Sequence, residues 1–322
     1  MPEKLALPRP PRDLALRTGH ALSDEQDLWA EWERVGAEQR EMIKMALPPE
    51  WSFAGKRTLD FGCGSGRTLG HFQSEAELAE MWGCDTHAPS IDWLRQNLSP
   101  PFQFFAVSEA PEIPRPDEFY DFVWAMSVFT HITDEWSGWL LELHRTMKVG
   151  GLALISFLGE GMIGRLIGEN WDPDRVGMNS LLLGQSWDDG GPIVFHSEWW
   201  IRAHWGRAFE IVWLHDHLEG HGLVLLRKRD VVISRGDLER LDDEEPREIA
   251  ALLHNLEQLH DEDRRLRGER DDLSSNYLAL QRQLHDMEST KVWRFTRPLT
   301  RVYSSIRSRV ARNPATVERQ DS

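Results

Sequence analysis

The chain has few cysteines, a deficit of basic residues and no long apolar run, and each shortage closes off a class of protein. Two cysteines, Cys63 and Cys84, in 322 residues cannot build a disulfide framework and suit a reducing compartment. Both read as small core or loop residues. Lys and Arg number 37 against 53 Asp and Glu, a net charge of -16, with a pI near 5.3. Nucleic acid is therefore not expected as the main partner, because phosphate binding needs basic surface. No stretch approaches the roughly 18 to 20 apolar residues that cross a bilayer, and the opening MPEKLALPRPPRDL has no continuous apolar segment of the secretory kind. The expected location is cytoplasmic.

What is present is a globular composition, 40% hydrophobic, in segments of different character. Residues 1–50 read as a leading helical segment: Leu28, Trp32, Val35, Met42, Ile43 and Leu47 recur at mostly helical spacing before the Pro48-Pro49 breaker. Over 51–230, short apolar runs alternate with helical patterns. RTLDFG, AEMWGCD, FQFFAV, YDFVWAMS and GLALISFLG read as strands, with helices over 67–80, 89–98 and 135–147. This rhythm predicts an α/β fold, a doubly wound, mostly parallel sheet. FEIVWLHDHLEGHGLVLLRKR reads as a closing antiparallel hairpin, so the sheet should end near Asp230.

From 237 to 290, Leu252, Leu259, Leu266, Leu273, Leu280 and Met287 recur every seven residues, with Leu256, Asp263, Arg270, Tyr277 and Leu284 at the complementary position. That is a coiled-coil signature and predicts a homo-oligomer; the competing reading is a single helix packed back on the domain. Residues 291–322 reverse the charge, with Arg294, Arg297, Arg301, Arg307 and Arg309 beside Trp293, Phe295 and Val302. A basic amphipathic end suits peripheral contact with the inner face of a membrane, and equally a solvated tail.

The densest chemical signal is DFGCGSG, residues 60–66, where a strand ending at Asp60 turns through Gly62, Gly64 and Gly66 into a predicted helix. Lacking Cβ atoms, these positions allow a ligand to approach the backbone. The dinucleotide fingerprint spaces its glycines G-x-G-x-x-G, whereas this one is G-x-G-x-G, which argues against NAD. Asp85 ends the second strand, Glu109 follows the third, and Met126 and Ser127 end the fourth, so the candidate residues collect at the carboxyl ends of strands, where α/β sheets bind ligands. Singly, Asp60 could cap the turn, Asp85 could be a polar strand end, and Glu109 a solvated loop acid.

In these motifs the chain resembles the class I S-adenosylmethionine-dependent methyltransferases, with a Rossmann-like, seven-stranded sheet, across roughly residues 30 to 230. Thr58 to Gly66 match the family's first motif. The resemblance implies S-adenosylmethionine as cofactor. It implies that Asp60, Gly62, Cys63, Gly64 and Gly66 form the turn around it, and that Asp85, with Thr86 beside it, accepts hydrogen bonds from the ribose hydroxyls. Glu109 stands where an Asp commonly reaches the adenine, and Met126 and Ser127 flank the methionine part. KVGGLALIS resembles the Lys-Pro-Gly-Gly turn into the fifth strand, with Val149 in place of Pro.

Methyl transfer is an in-line displacement, so alignment and exclusion of water are the protein's main tasks. An acceptor hydroxyl would also call for a base, and His131, His196 and Glu160 are the candidates. His131 could instead cap the next helix, and His196 could pack among tryptophans. Trp187, Trp199, Trp200 and Trp205 could stack on a sugar or aromatic acceptor, or pack a helix onto the sheet. STKVWRFTRPLTRV, residues 289–302, resembles a tail that follows coiled coils in some bacterial glycosyltransferases and methyltransferases of surface-polysaccharide pathways, which implies a glycan or glycolipid acceptor. A small-molecule or lipid acceptor, or a non-catalytic coiled-coil scaffold, are the rival readings.

Overall fold

The computed structural model describes residues 7–17, 25–166, 172, 174–185, 190–216 and 220–289. Its strands are β1 Arg57–Phe61, β2 Glu80–Asp85, β3 Gln103–Ala106, β4 Tyr120–Ala125, β5 Met147–Phe157, β6 Met178–Leu181, β7 Ile193–His196, β8 Phe209–His215 and β9 Gly222–Lys228. Its helices are α1 Arg12–Leu16, α2 Glu25–Ala46, α3 Gln73–Ala76, α4 Ala88–Asn97, α5 Trp136–Thr146, α6 Glu160–Leu166, α7 Glu198–His204, α8 Arg235–Glu239 and α9 Arg247–Ser289.

Seven strands form one sheet in the order β3-β2-β1-β4-β5-β9-β8. The first five run parallel, while β9 pairs antiparallel with β5 and with β8. This is the doubly wound sheet with a closing hairpin that the alternation of strands and helices predicts. Strand β4 shows why it forms. All six of its residues are buried, with Phe122 and Trp124 in one core cluster and Tyr120, Val123 and Ala125 in the other. A central strand covered on both faces needs apolar side chains at odd and even positions alike. Helices α2 and α4 supply Ile43, Ile91 and Leu94 to one cluster; α5 and α7 supply Leu140, Leu143 and Ile201 to the other.

Three features depart from the sequence expectation. The helix expected over 67–80 is broken into a 3-10 turn at Leu69–His71 and the four-residue α3. Helix α2 lies so close here that a Cβ at Gly36 would come within 2.3 Å of the Arg67 carbonyl oxygen. Phe72 meanwhile turns inward to stack on Trp124 with ring centres 5.0 Å apart, so tertiary packing overrides a regular helix. A second, two-stranded antiparallel sheet, β6 with β7, was not expected; β7 falls in the tryptophan-rich stretch and β6 before it. The compact body also runs past Asp230 to Asn255.

Leu238 and Ala251 belong to the core, and Asn255 donates to the Met178 carbonyl at 2.8 Å. The remainder, from Leu256, is helical through Ser289; its Leu259, Leu266, Leu273 and Leu280 are about half exposed or more. The basic tail, 291–322, and Trp187 lie outside the described residues. Among the described residues no helix is long and apolar enough to cross a membrane.

Candidate functional site

The glycine turn sits at the carboxyl end of β1, stitched to the end of β2. The N–H groups of Gly62 and Cys63 both donate to the Cys84 carbonyl at 2.9 Å. Gly62, Gly64 and Gly66 have φ of +79°, +55° and +83°, a region costly for residues bearing a Cβ. At two of these positions the reason for glycine is partly internal: a Cβ would lie 2.3 Å from Val128 at Gly62 and 2.5 Å from Leu94 at Gly66. Cys63 is buried, and burial pushes its thiol well above the ordinary range, as it does that of Cys84. Neither sulfur is a nucleophile at neutral pH.

Two carboxylates flank the turn. Asp85 accepts from the Gly64 N–H through Oδ2 and from the His87 N–H through Oδ1, each at 2.8 Å. A carboxylate has about four acceptor directions, so both oxygens retain capacity for vicinal hydroxyls. Thr86 is exposed beside it. Asp60 is only 2% exposed, and its carboxyl is pushed up to about 7, chiefly by burial and further by the charge of Asp85. The Trp124 indole and the Arg67 guanidinium moderate that rise. Asp60 Oδ2 has no hydrogen-bond partner. Such a buried acceptor without a partner costs about 1 to 3 kcal/mol.

The remaining expected residues divide. Met126 and Ser127 follow β4 as expected, half-buried, with Ser127 at φ +58°, uncommon for a non-glycine residue. Glu109 is exposed on the loop after β3, with no contact there that marks it as an adenine ligand. His131 is half-buried, and its Nδ1 lies 2.7 Å from the Pro192 carbonyl oxygen. A carbonyl only accepts, so Nδ1 carries the proton. Burial holds the imidazole below its usual range.

His196 is fully buried, its ring 5.3 Å from that of Trp200 and 5.5 Å from that of Trp205. Neither nitrogen has a hydrogen-bond partner, and burial drives it down to about 3. It is a neutral packing residue with no access to an acceptor. Glu160 opens α6, exposed, its N–H donating to Asp216 at 3.0 Å. Trp199, Trp200 and Trp205 are core residues rather than stacking platforms.

One residue of the site was not singled out by sequence reasoning. His221, just before β9, has Nδ1 3.3 Å from Ser127 Oγ and 3.4 Å from Ser156 Oγ. Burial, then the charges of His131 and Arg67, hold it down to about 4. Its only sequence signal is a histidine between two glycines in the closing hairpin, LEGHG.

With this geometry in place, comparison with known proteins is informative. Residues 59–155 match the methyltransferase domain family. That span runs from β1 through β5 and holds the turn, Asp85 and Ser127. The match to the methyltransferase domain supports one cofactor, S-adenosylmethionine, and Asp60 and Asp85 flank the glycine turn within the matched span. When bound, it supplies an electrophilic methyl group on a sulfonium. Solved structures similar to the methyltransferase domain include a putative S-adenosylmethionine-dependent methyltransferase from Listeria monocytogenes: 16% identity, 61% of this chain, 100% of that one, TM-score 0.46. Magnesium protoporphyrin IX methyltransferase from Synechocystis PCC 6803, solved with bound SAH, is 16% identical over 67% of this chain and 93% of its own, TM-score 0.46. A methyltransferase from Methanosarcina mazei is 17% identical over 58% and 97%, TM-score 0.44. What any of these methylates says nothing about the acceptor of this chain.

Proposed function

We propose that this protein transfers a methyl group from S-adenosylmethionine to a hydroxyl oxygen, the acceptor being a sugar of a cell-surface glycan or glycolipid intermediate. The observation that carries the transfer is the pairing of Asp60, buried without a hydrogen-bond partner at Oδ2, with Asp85 across the glycine turn. The hydroxyl acceptor is supported by the imidazoles of His131 and His221, both held neutral by burial near neutral pH; a hydroxyl keeps its proton in water and needs somewhere to send it. The glycan rests on the resemblance of residues 289–302. In the same reading the exposed leucine seam of α9 joins copies of the chain, and the basic tail brings the assembly to anionic lipid at the inner membrane face.

Calorimetry with S-adenosylmethionine tests the first half. Binding is expected, and Asp85→Ala should weaken it by about 1 to 3 kcal/mol, the cost of leaving ribose hydroxyls unpaired. No binding by the wild type would end the methyltransferase reading and favour a scaffold. Methyl-labelled cofactor incubated with protein and extract of the source cells tests the second half: label is expected in the carbohydrate fraction, and label confined to lipid or small molecules would reassign the acceptor.

A further inference from the structure

Residues beside three strands converge on His221. Ser127 follows β4 and Ser156 lies in β5, with the Ser127 N–H donating to Ser156 Oγ at 2.7 Å. His221 Nδ1 lies within 3.3 and 3.4 Å of the two hydroxyl oxygens. The arrangement holds Ser127 at φ +58°, a conformation that surrounding structure must impose and that collects at functional sites. Val128, the next residue, presses on Gly62 of the cofactor turn, and the charge of Arg67 reaches both Asp60 and His221. A base held by fixed partners beside a cofactor turn is the arrangement that nucleophile activation requires.

We infer that His221 is the general base of the methyl transfer, oriented through Nδ1 by Ser127 and Ser156 and taking the acceptor's hydroxyl proton at Nε2. This rests on the methyl-transfer reading above. The role requires the tautomer in which Nδ1 donates its proton to a serine oxygen and Nε2 carries the lone pair. His221 Nε2 takes the proton as the acceptor oxygen bonds to the methyl carbon and the carbon–sulfur bond breaks, its electron pair going to sulfur. One positive charge leaves the sulfonium as one appears on the imidazolium, so the site holds the same net charge before and after. The groups facing His221 are Ser127 from β4, Ser156 from β5, His131 from the loop after β4, and Arg67 from the segment after the turn. Burial and the charges of His131 and Arg67 keep the ring neutral at pH 7.

The test compares His221→Gln and His131→Gln with the wild type in transfer of labelled methyl to source-cell extract. Cofactor affinity by calorimetry and melting temperature confirm that each variant is folded and loaded. His221→Gln should lose about 100-fold or more in rate at unchanged cofactor affinity, while His131→Gln loses less than about tenfold. Nitrogen-15 spectra of histidine-labelled protein with S-adenosylhomocysteine should show His221 neutral at pH 7 with its proton on Nδ1. Full transfer by folded His221→Gln, a large loss in His131→Gln alone, or a proton on Nε2 would overturn the assignment while leaving the methyl-transfer reading intact. A wild type that binds cofactor yet labels nothing would overturn that reading, and the base with it.

Discussion

At Asp60 the protein keeps a carboxyl group where water cannot reach it, and the consequence is a proton that moves with pH. Its folded value of about 7 stands above the ordinary 3.9 or so of an aspartate. The folded state thus binds this proton more tightly than the unfolded state, and the group's contribution to stability declines as pH rises from about 4 to 7. Asp60→Asn should raise the melting temperature of the ligand-free protein at pH 8, with the gain shrinking toward pH 4. Binding has the opposite sign. A positively charged cofactor prefers the carboxylate, so affinity should climb between about pH 5 and 7 and level off above. Titration calorimetry across that range should show the climb in the wild type and its loss in Asp60→Asn.

Residue by residue, what was legible depended on distance along the chain. Asp60, the turn and Asp85 could be found because a strand end and a glycine pattern announce themselves within a few residues. His221 could not, since its partners Ser127 and Ser156 stand 94 and 65 positions away and only the sheet order brings β4, β5 and β9 together. His196 shows the converse: a histidine among tryptophans suggests a site in sequence, and burial makes it a core ring.

Among elements, the seven strands of the main sheet and the helices α4 and α5 were readable because their apolar periodicity agrees with their final burial. The segment after the turn was not, because α2 and Trp124, remote in sequence, dictate its path. The turn itself is the element most sensitive to change. Gly62→Ala combines a left-handed backbone, φ +79°, with a Cβ 2.3 Å from Val128. A loss of about 2 to 4 kcal/mol is expected from strain and overpacking together, measurable by urea unfolding. Since Val128 follows Ser127 directly, the same substitution should weaken cofactor binding.

For the whole molecule, the first compact unit ends at Asn255, whereas composition changes at Gly236. Composition changes where charge begins, but His204 still needs its partners beyond that point: Nδ1 lies 2.7 Å from the Leu238 carbonyl and Nε2 2.9 Å from Glu248. A truncation series should separate the parts. Residues 1–255 should be a monomer that binds cofactor, and 1–236, deprived of Leu238 and Glu248, should melt lower. Residues 1–290 should be oligomeric by light scattering, and only the full chain should sediment with anionic vesicles, releasing in salt. A monomeric full-length chain would rule out the seam, and equal sedimentation with and without 291–322 would rule out the lipid role of the tail.

The glycine turn is also fastened from outside. Ser65 Oγ donates to the Leu14 carbonyl at 3.0 Å, while Ala15 and Leu16 pack against Leu28, Trp29 and Trp32 of α2 and Leu7 lies against Gly70. Residues 7–17 therefore brace the glycine turn from outside the sheet. On the methyl-transfer reading, residence time of the cofactor would then be a property separate from affinity. Loosening the strap at Leu14 would quicken turnover of bound nucleoside while leaving the contacts of Asp85 and Asp60 as they were.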